Sequence, residues 1–81
     1  MSKENLYLIV FEEGVQKRLK GPYDDETVCK IVLLNTAKKH VRENDVDSNK
    51  NITLCLTDTH CNNVYVNNLT AGELEETKIL E

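Results

Sequence analysis

The sequence predicts an α+β fold: a small antiparallel sheet of about four strands in the order β-β-α-β-β, with one helix packed on a face and a C-terminal tail. Three observations lead to this class. The stretch Leu6–Phe11 is apolar at every position, residues 15–20 and 52–57 alternate between opposite faces, and residues 24–43 carry helix start and end signals. The strand segments are joined in pairs by short turns, which favours antiparallel hairpins.

The first hairpin is predicted from residues 6–20. Because Leu6–Phe11 has no polar face, we expect a strand in the middle of the sheet, covered on both sides. A turn at residues 12–14 follows, where Gly14 can adopt a positive φ. The next strand has lysines that suit a sheet edge, and it should end at residues 21–23 because Pro22 has no N–H to donate. One side of that strand is expected to carry Val15, Lys17 and Leu19.

A helix is predicted from Asp24, as the capping residue, to about Glu43, where cationic side chains suit the last turns. Its apolar residues form more than one stripe. The first stripe consists of Val28, Ile31 and Val32. The second stripe lies on a different side and consists of Leu34, Ala37 and Val41. A helix on one sheet face needs only one apolar stripe, so the second requires further cover.

Three explanations of the second stripe stay open at the level of sequence. The C-terminal tail can fold back over the helix, a partner can cover it, or residues 28–34 can be a strand instead of a helix. The partner would be a second copy or another protein. The apolar residues of the tail are Leu69, Leu74, Ile79 and Leu80.

The second hairpin is predicted after a polar loop at residues 44–51. Residues 52–57 should point alternately inward and outward, with Cys55 on the outward side, and residues 64–66 form a short partner strand. The remainder, from residue 67 onward, is expected to form either one or two loose helical turns or a frayed segment. We expect a single domain over residues 1–81, with frayed ends at residues 1–4 and about 75–81.

Composition excludes some classes of function. The net charge of −4, from ten basic and fourteen acidic residues, argues against a sequence-independent nucleic-acid binder. No segment is apolar enough to span a bilayer and no signal peptide is recognisable, so a cytoplasmic protein without membrane contact is expected. The three cysteines are predicted to be reduced thiols. Neither a catalytic motif nor a cofactor motif occurs, and an enzyme is not expected.

Two patterns could hold a metal ion, and each has a simpler structural explanation. The loop at residues 45–51 resembles the start of an EF-hand calcium loop, with oxygen ligands at Asp45, Asp47 and Asn49. The resemblance fails at Lys50, where the loop needs glycine, so a polar turn is the better interpretation. The group of Cys55, His60 and Cys61 lacks paired zinc spacings and is interpreted as ordinary turn residues, whereas Cys29 should be a core residue.

Two surfaces remain as candidate binding sites. The leading hypothesis is a small cytosolic protein-interaction module without catalytic activity, acting alone or as a homodimer. Its surface would be either the helix face of Leu34, Ala37 and Val41 or the open face of the sheet. The alternative is a nucleic-acid or anionic-ligand binder, with Tyr7 and Phe11 on one strand face as stacking residues. Its basic residues would be Lys17, Arg18, Lys20, Lys38, Lys39 and Arg42.

Overall fold

Four antiparallel strands and two helices form the fold in the computed structural model, which describes residues 5–77. The sheet order is β2-β1-β3-β4, so the predicted α+β class and the β-β-α-β-β order are confirmed. Of the predicted frayed ends, at residues 1–4 and about 75–81, residues 1–4 and 78–81 fall outside the described residues, and Glu75 and Glu76 are helical in the structure. The elements in chain order are β1 Leu6–Glu12, β2 Val15–Tyr23, α1 Glu26–Glu43, β3 Asn51–Asp58, β4 Asn63–Thr70 and α2 Ala71–Glu76.

Strand β1 lies inside the sheet, as its apolar sequence predicts, but only one of its faces is covered. Leu6, Leu8 and Val10 are buried against the helices. The alternate residues Tyr7 and Ile9 are only half-buried. The expectation of cover on both sides is therefore wrong for residues 5–77, because both described helices pack on the same face of the sheet.

Strand β2 is an edge strand, as expected, but it does not end before Pro22. It continues to Tyr23, because an edge strand tolerates a residue without an N–H. It also contains two irregularities. At the first one, Val10 pairs with Arg18 while Phe11 pairs with Gln16, so one residue is extra and the side-chain alternation shifts. Val15 and Leu19 consequently do not share a face, contrary to the prediction.

Gly21 is required at the second irregularity of β2. Its φ of +150° lies in a region that side chains disfavour, and a Cβ built on it would lie 2.5 Å from Cδ1 of Tyr7. The same Cβ would lie 3.0 Å from the carbonyl oxygen of Leu6. Strand β1 therefore approaches Gly21 of β2 too closely for any larger residue at this position. The peptide bond between Gly21 and Pro22 is cis.

Helix α1 begins one residue later than predicted and buries a different stripe. Asp25, rather than Asp24, is the N-cap, and its carboxylate accepts hydrogen bonds from the N–H groups of Thr27 and Val28 at 2.9 and 3.1 Å. The alternative of a strand at residues 28–34 is wrong, since these residues are helical. The buried residues of the helix are Cys29, Leu33, Thr36, Ala37, Lys38, His40 and Val41.

Helix α2 completes the core from the C-terminal side. Thr70 and Glu73 cap its start reciprocally, and Ala71 and Leu74 are fully buried. The predicted return of the tail over the helix therefore holds for Leu74, which joins the same core as α1, whereas Ile79 and Leu80 lie outside the described residues. The remaining core residues come from the sheet and are Leu6, Leu8, Val10, Ile52, Leu54 and Leu56.

Candidate interaction surface

No described element packs on the face of the sheet opposite the helices. Residues directly opposite each other on antiparallel strands point to the same face, so the strand registers assign its members. We call this surface the open face. It consists of Tyr7, Ile9, Phe11, Gln16, Leu19, Asn51, Thr53, Cys55, Thr57, Asn63, Val66, Asn68 and Thr70.

An apolar row crosses the open face from one edge strand to the other. Ile9 pairs with Leu19 on one side and with Cys55 on the other, and Cys55 pairs with Val66. Each of the four strands therefore contributes one apolar residue. Leu19 is 56% exposed and Val66 is 47% exposed, whereas Cys55 between them is only 6% exposed. We call these four residues the cross-sheet row.

The open face carries no charged residue among its thirteen members, and Glu13 in the β1–β2 turn lies at its border, beside Asn51 and Thr53. Charged residues of the same strands point to the helix-covered side instead. Arg18 pairs with Glu43 of α1 at 3.2 Å, and Glu12 contacts His40 of the same helix. The face of an antiparallel sheet that is exposed to water normally consists of polar and charged residues. This face is neutral and is crossed by an apolar row, which is typical of a surface that contacts another protein.

Two pairs of side chains on the open face are joined by hydrogen bonds. The hydroxyl of Thr53 donates to Oδ1 of Asn68 at 2.7 Å, and the thiol of Cys55 lies 3.4 Å from Oδ1 of Asn63 as a donor. A polar group that already has a partner costs less to bury than one that relies on water. These pairs therefore reduce the cost of covering the face.

The predicted helix surface is not available in the folded chain. Ala37 and Val41 are 0% and 6% exposed and belong to the core beneath the sheet, so they cannot meet a partner from solution. Only Leu34 is accessible. It lines an apolar groove of about 350 Å³ between α1 and the β3–β4 hairpin, together with Ile31 and Tyr65.

The basic residues of the nucleic-acid alternative do not form one unpaired cluster. Arg18 pairs with Glu43, and Arg42 pairs with Glu75 at 3.4 Å. Lys38 is buried and its ammonium group donates to the carbonyl oxygen of Thr77. The other three are exposed, and they are Lys17, Lys20 and Lys39. Tyr7 and Phe11 do share the open face, but no cation accompanies them there. Nucleic-acid binding stays an untested prediction.

The loop of the calcium hypothesis is explained by the way α1 ends. Asp45 has φ +51°, and the N–H of Val46 donates to the carbonyl oxygen of Val41 at 3.0 Å. This is the Schellman arrangement that commonly ends a helix. A strand follows from Asn51, where an EF-hand would have its second helix. The loop therefore has a structural role that requires no ion.

The three thiols occupy three different environments. Cys29 is a buried core residue, Cys55 lies in the cross-sheet row, and Cys61 is exposed in the β3–β4 turn. Burial raises the pKa of Cys29, helped by the nearby negative charge of Glu26, and burial also raises the pKa of Cys55. Both groups are therefore poor nucleophiles at neutral pH. Within residues 5–77, no group of three His, Cys, Asp or Glu side chains is placed to hold a metal ion.

One partly buried polar network has no counterpart in the sequence predictions. Nε2 of His40 lies 2.9 Å from Oε1 of Glu12, and Nδ1 lies 3.1 Å from the amide nitrogen of Asn44. Because an amide nitrogen only donates, the neutral imidazole that fits both contacts has its proton on Nε2, which then donates to Glu12. The network joins α1 to β1. The i, i+4 spacing of His40 and Asn44 was its only sequence signal, and the position of Glu12 depends on the fold.

Comparisons of the chain with protein-family models, with curated proteins and with solved structures find no match. Neither of the helices in the described part of the chain is long and apolar enough to cross a membrane.

Proposed function

We propose that this protein is a small non-catalytic interaction module that binds another protein surface through the open face. One observation carries the proposal. The cross-sheet row, from Leu19 to Val66, forms a continuous apolar strip on a sheet face without charge. The proposal includes a cytoplasmic location, which is supported by the exposed free thiol of Cys61.

The energetic basis of the proposal is the removal of the open face from water. Complete burial of a leucine or valine side chain contributes about 1.5–3 kcal/mol. Leu19 and Val66 are each about half exposed, so each would contribute about 1 kcal/mol in an interface that covers it. The half-buried side chains of Tyr7, Ile9 and Phe11 add to this sum. The mutual hydrogen bonds of Thr53 and Asn68 limit the opposing desolvation cost.

Methyl NMR spectroscopy can test which surface is used. The protein, labelled with ¹³C at Ile, Leu and Val methyl groups, is compared in buffer and in an extract of the expressing cells. We expect the signals of Ile9, Leu19 and Val66 to broaden or shift in the extract, since they lie on the open face. Val15 and Val28 are the matched controls, because they have the same exposures of 56% and 47% and lie off that face.

The readout identifies the surface rather than a captured protein. Uniform broadening of open-face and control methyl groups would indicate only the viscosity of the extract. Selective broadening at Val28 and at Leu34 in the α1 groove would assign the interaction to the helix instead. Either result contradicts binding of the open face to a component of the extract.

A further inference from the structure

We propose that the partner of the open face is a second copy of this chain, so that two sheets pack face to face with their helices outside. This inference rests on the proposed function and names its partner. In such a dimer each two-layer subunit contributes one sheet to a β-sandwich. Sheets packed in this way keep a separation of about 10 Å, with the inner side chains of both in contact.

The charge distribution favours a second copy at this surface. Each chain carries a net charge of −4, so two copies repel each other over most of their surfaces. The open face is free of charged residues, and two copies that meet there bury no ion. A strongly charged partner would find no counter-ions on this face. A second copy has the neutral, apolar chemistry that the face itself presents.

The position of the cross-sheet row also fits a symmetric contact. A two-fold interface uses the same patch on both subunits, so the patch must be complementary to itself. The row reaches from edge strand β2 to edge strand β4 through both inner strands. Rotation of a second copy about an axis in the plane between the sheets therefore places one row on the other when the strands are aligned.

The size of the face indicates a weak dimer. Four strands about 4.8 Å apart and seven residues of about 3.3 Å each give a face of about 19 by 23 Å. This is about 440 Å² in projection, compared with the roughly 800 Å² per partner of a standard stable interface. We therefore expect dissociation at micromolar rather than nanomolar concentrations.

Sedimentation of the purified protein in reductant, from about 10 µM to about 1 mM, tests the inference at the concentrations expected for a small interface. The face variant combines Leu19→Lys with Val66→Lys. The control variant combines Val15→Lys with Val28→Lys, at sites of the same exposure off the open face. Both change the net charge from −4 to −2. We expect a dimer whose dissociation constant rises at least about tenfold in the face variant and stays within about threefold in the control variant.

The outcomes separate this inference from the proposed function. A wild-type protein that is monomeric at the highest concentration, with its open-face methyl groups still selectively broadened in extract, overturns the second copy and leaves the proposed function standing. A monomer without selective broadening overturns both. A dimer that the face variant retains overturns the second copy at the open face, because another surface then holds it together, and the methyl signals in extract decide the proposed function. Far-UV circular dichroism confirms that each variant is folded.

Discussion

Asp58 organises the turn that joins β3 to β4. Its Oδ1 accepts hydrogen bonds from the N–H groups of His60 and Asn62 at 2.8 and 2.9 Å. Its backbone N–H donates to the carbonyl oxygen of Asn62 at 3.0 Å. The hydrogen bond from the Asn62 backbone is the largest cause that holds the pKa of Asp58 below its ordinary value, followed among the lowering causes by that from His60. The turn is therefore stabilised by the ionised carboxylate.

The stabilising effect of Asp58 should depend on pH. Because its pKa is lower in the folded than in the unfolded chain, its contribution is complete above the unfolded value of about 4 and is lost as the pH falls through the folded value. We expect Asp58→Asn to lower the free energy of unfolding at pH 7. The difference from wild type should shrink toward pH 2.

Urea titrations at pH 7, 4 and 2 measure that difference. Glu76→Gln, which neutralises an exposed carboxylate of α2, is the control for loss of a negative charge alone. If Asp58→Asn and Glu76→Gln behave alike at all three pH values, the hydrogen bonds in the turn have no role in stability.

The exposure of Cys55 is determined by its position in the sheet rather than by the face to which its side chain points. It points away from the helices, as its alternation with Leu54 and Leu56 predicts, yet it is only 6% exposed. Its neighbours Ile9 and Val66 on adjacent strands account for this burial. Sequence periodicity predicts the face of such a residue but not its exposure, because the lateral neighbours depend on strand order.

Among the elements, α2 is the one whose contribution is most easily measured. Leu74 is fully buried in the core that α1 shares with the sheet. Truncation of a buried leucine leaves a cavity, so Leu74→Ala should destabilise the protein by about 2–5 kcal/mol. Glu76→Ala, at an exposed site of the same helix, is the matched control. Equilibrium urea unfolding gives both values, and a loss below about 0.5 kcal/mol for Leu74→Ala would show that α2 is not part of the cooperative core.

The helix illustrates where sequence patterning reaches its limit. The existence of α1 and its end at Glu43 follow from capping and charge signals. The buried face of α1 cannot be predicted from the sequence, because apolar residues occur around most of the circumference of the helix. The face that is buried in the structure also includes the polar residues Thr36 and His40. The polar members are tolerated because, within residues 5–77, no buried side-chain nitrogen or oxygen atom lacks a hydrogen-bond partner. A hydrophobic pattern cannot reveal a face of that composition.

On the scale of the whole molecule, the order of elements could be predicted but their layering could not. The apolar run in β1 predicts an inner strand, and the structure places it there. The same run predicts cover on both faces, and the described chain supplies cover on one. The face of β1 that the described chain leaves uncovered is part of the candidate binding surface. No pattern in the sequence of β4 indicates that Val66 would continue a row begun by Leu19, because that requires the pairing registers of three strand pairs.

Association through the open face should appear in the thermal stability of the whole protein. A dimer that forms only from folded chains is stabilised by mass action, so its unfolding midpoint rises with protein concentration. Between about 10 µM and about 1 mM we expect an increase of roughly 5 °C, given the sensitivity of a domain of this size. Scanning calorimetry measures the midpoint. The midpoint of the double variant Leu19→Lys with Val66→Lys should rise less with concentration than that of the wild type, and a constant midpoint for the wild type would contradict the dimer.

The irregularities in the two edge strands have a consequence for assembly. In β2 the pairing shifts twice and Pro22 offers no N–H, and in β4 the pairing shifts once, between the partners of Leu56 and Thr57. Such interruptions twist an edge and prevent another chain from continuing its ladder of hydrogen bonds. The sheet therefore cannot easily be extended by further chains at either edge strand. Association through the open face stops at two copies, so concentrated solutions of this protein should stay free of fibres.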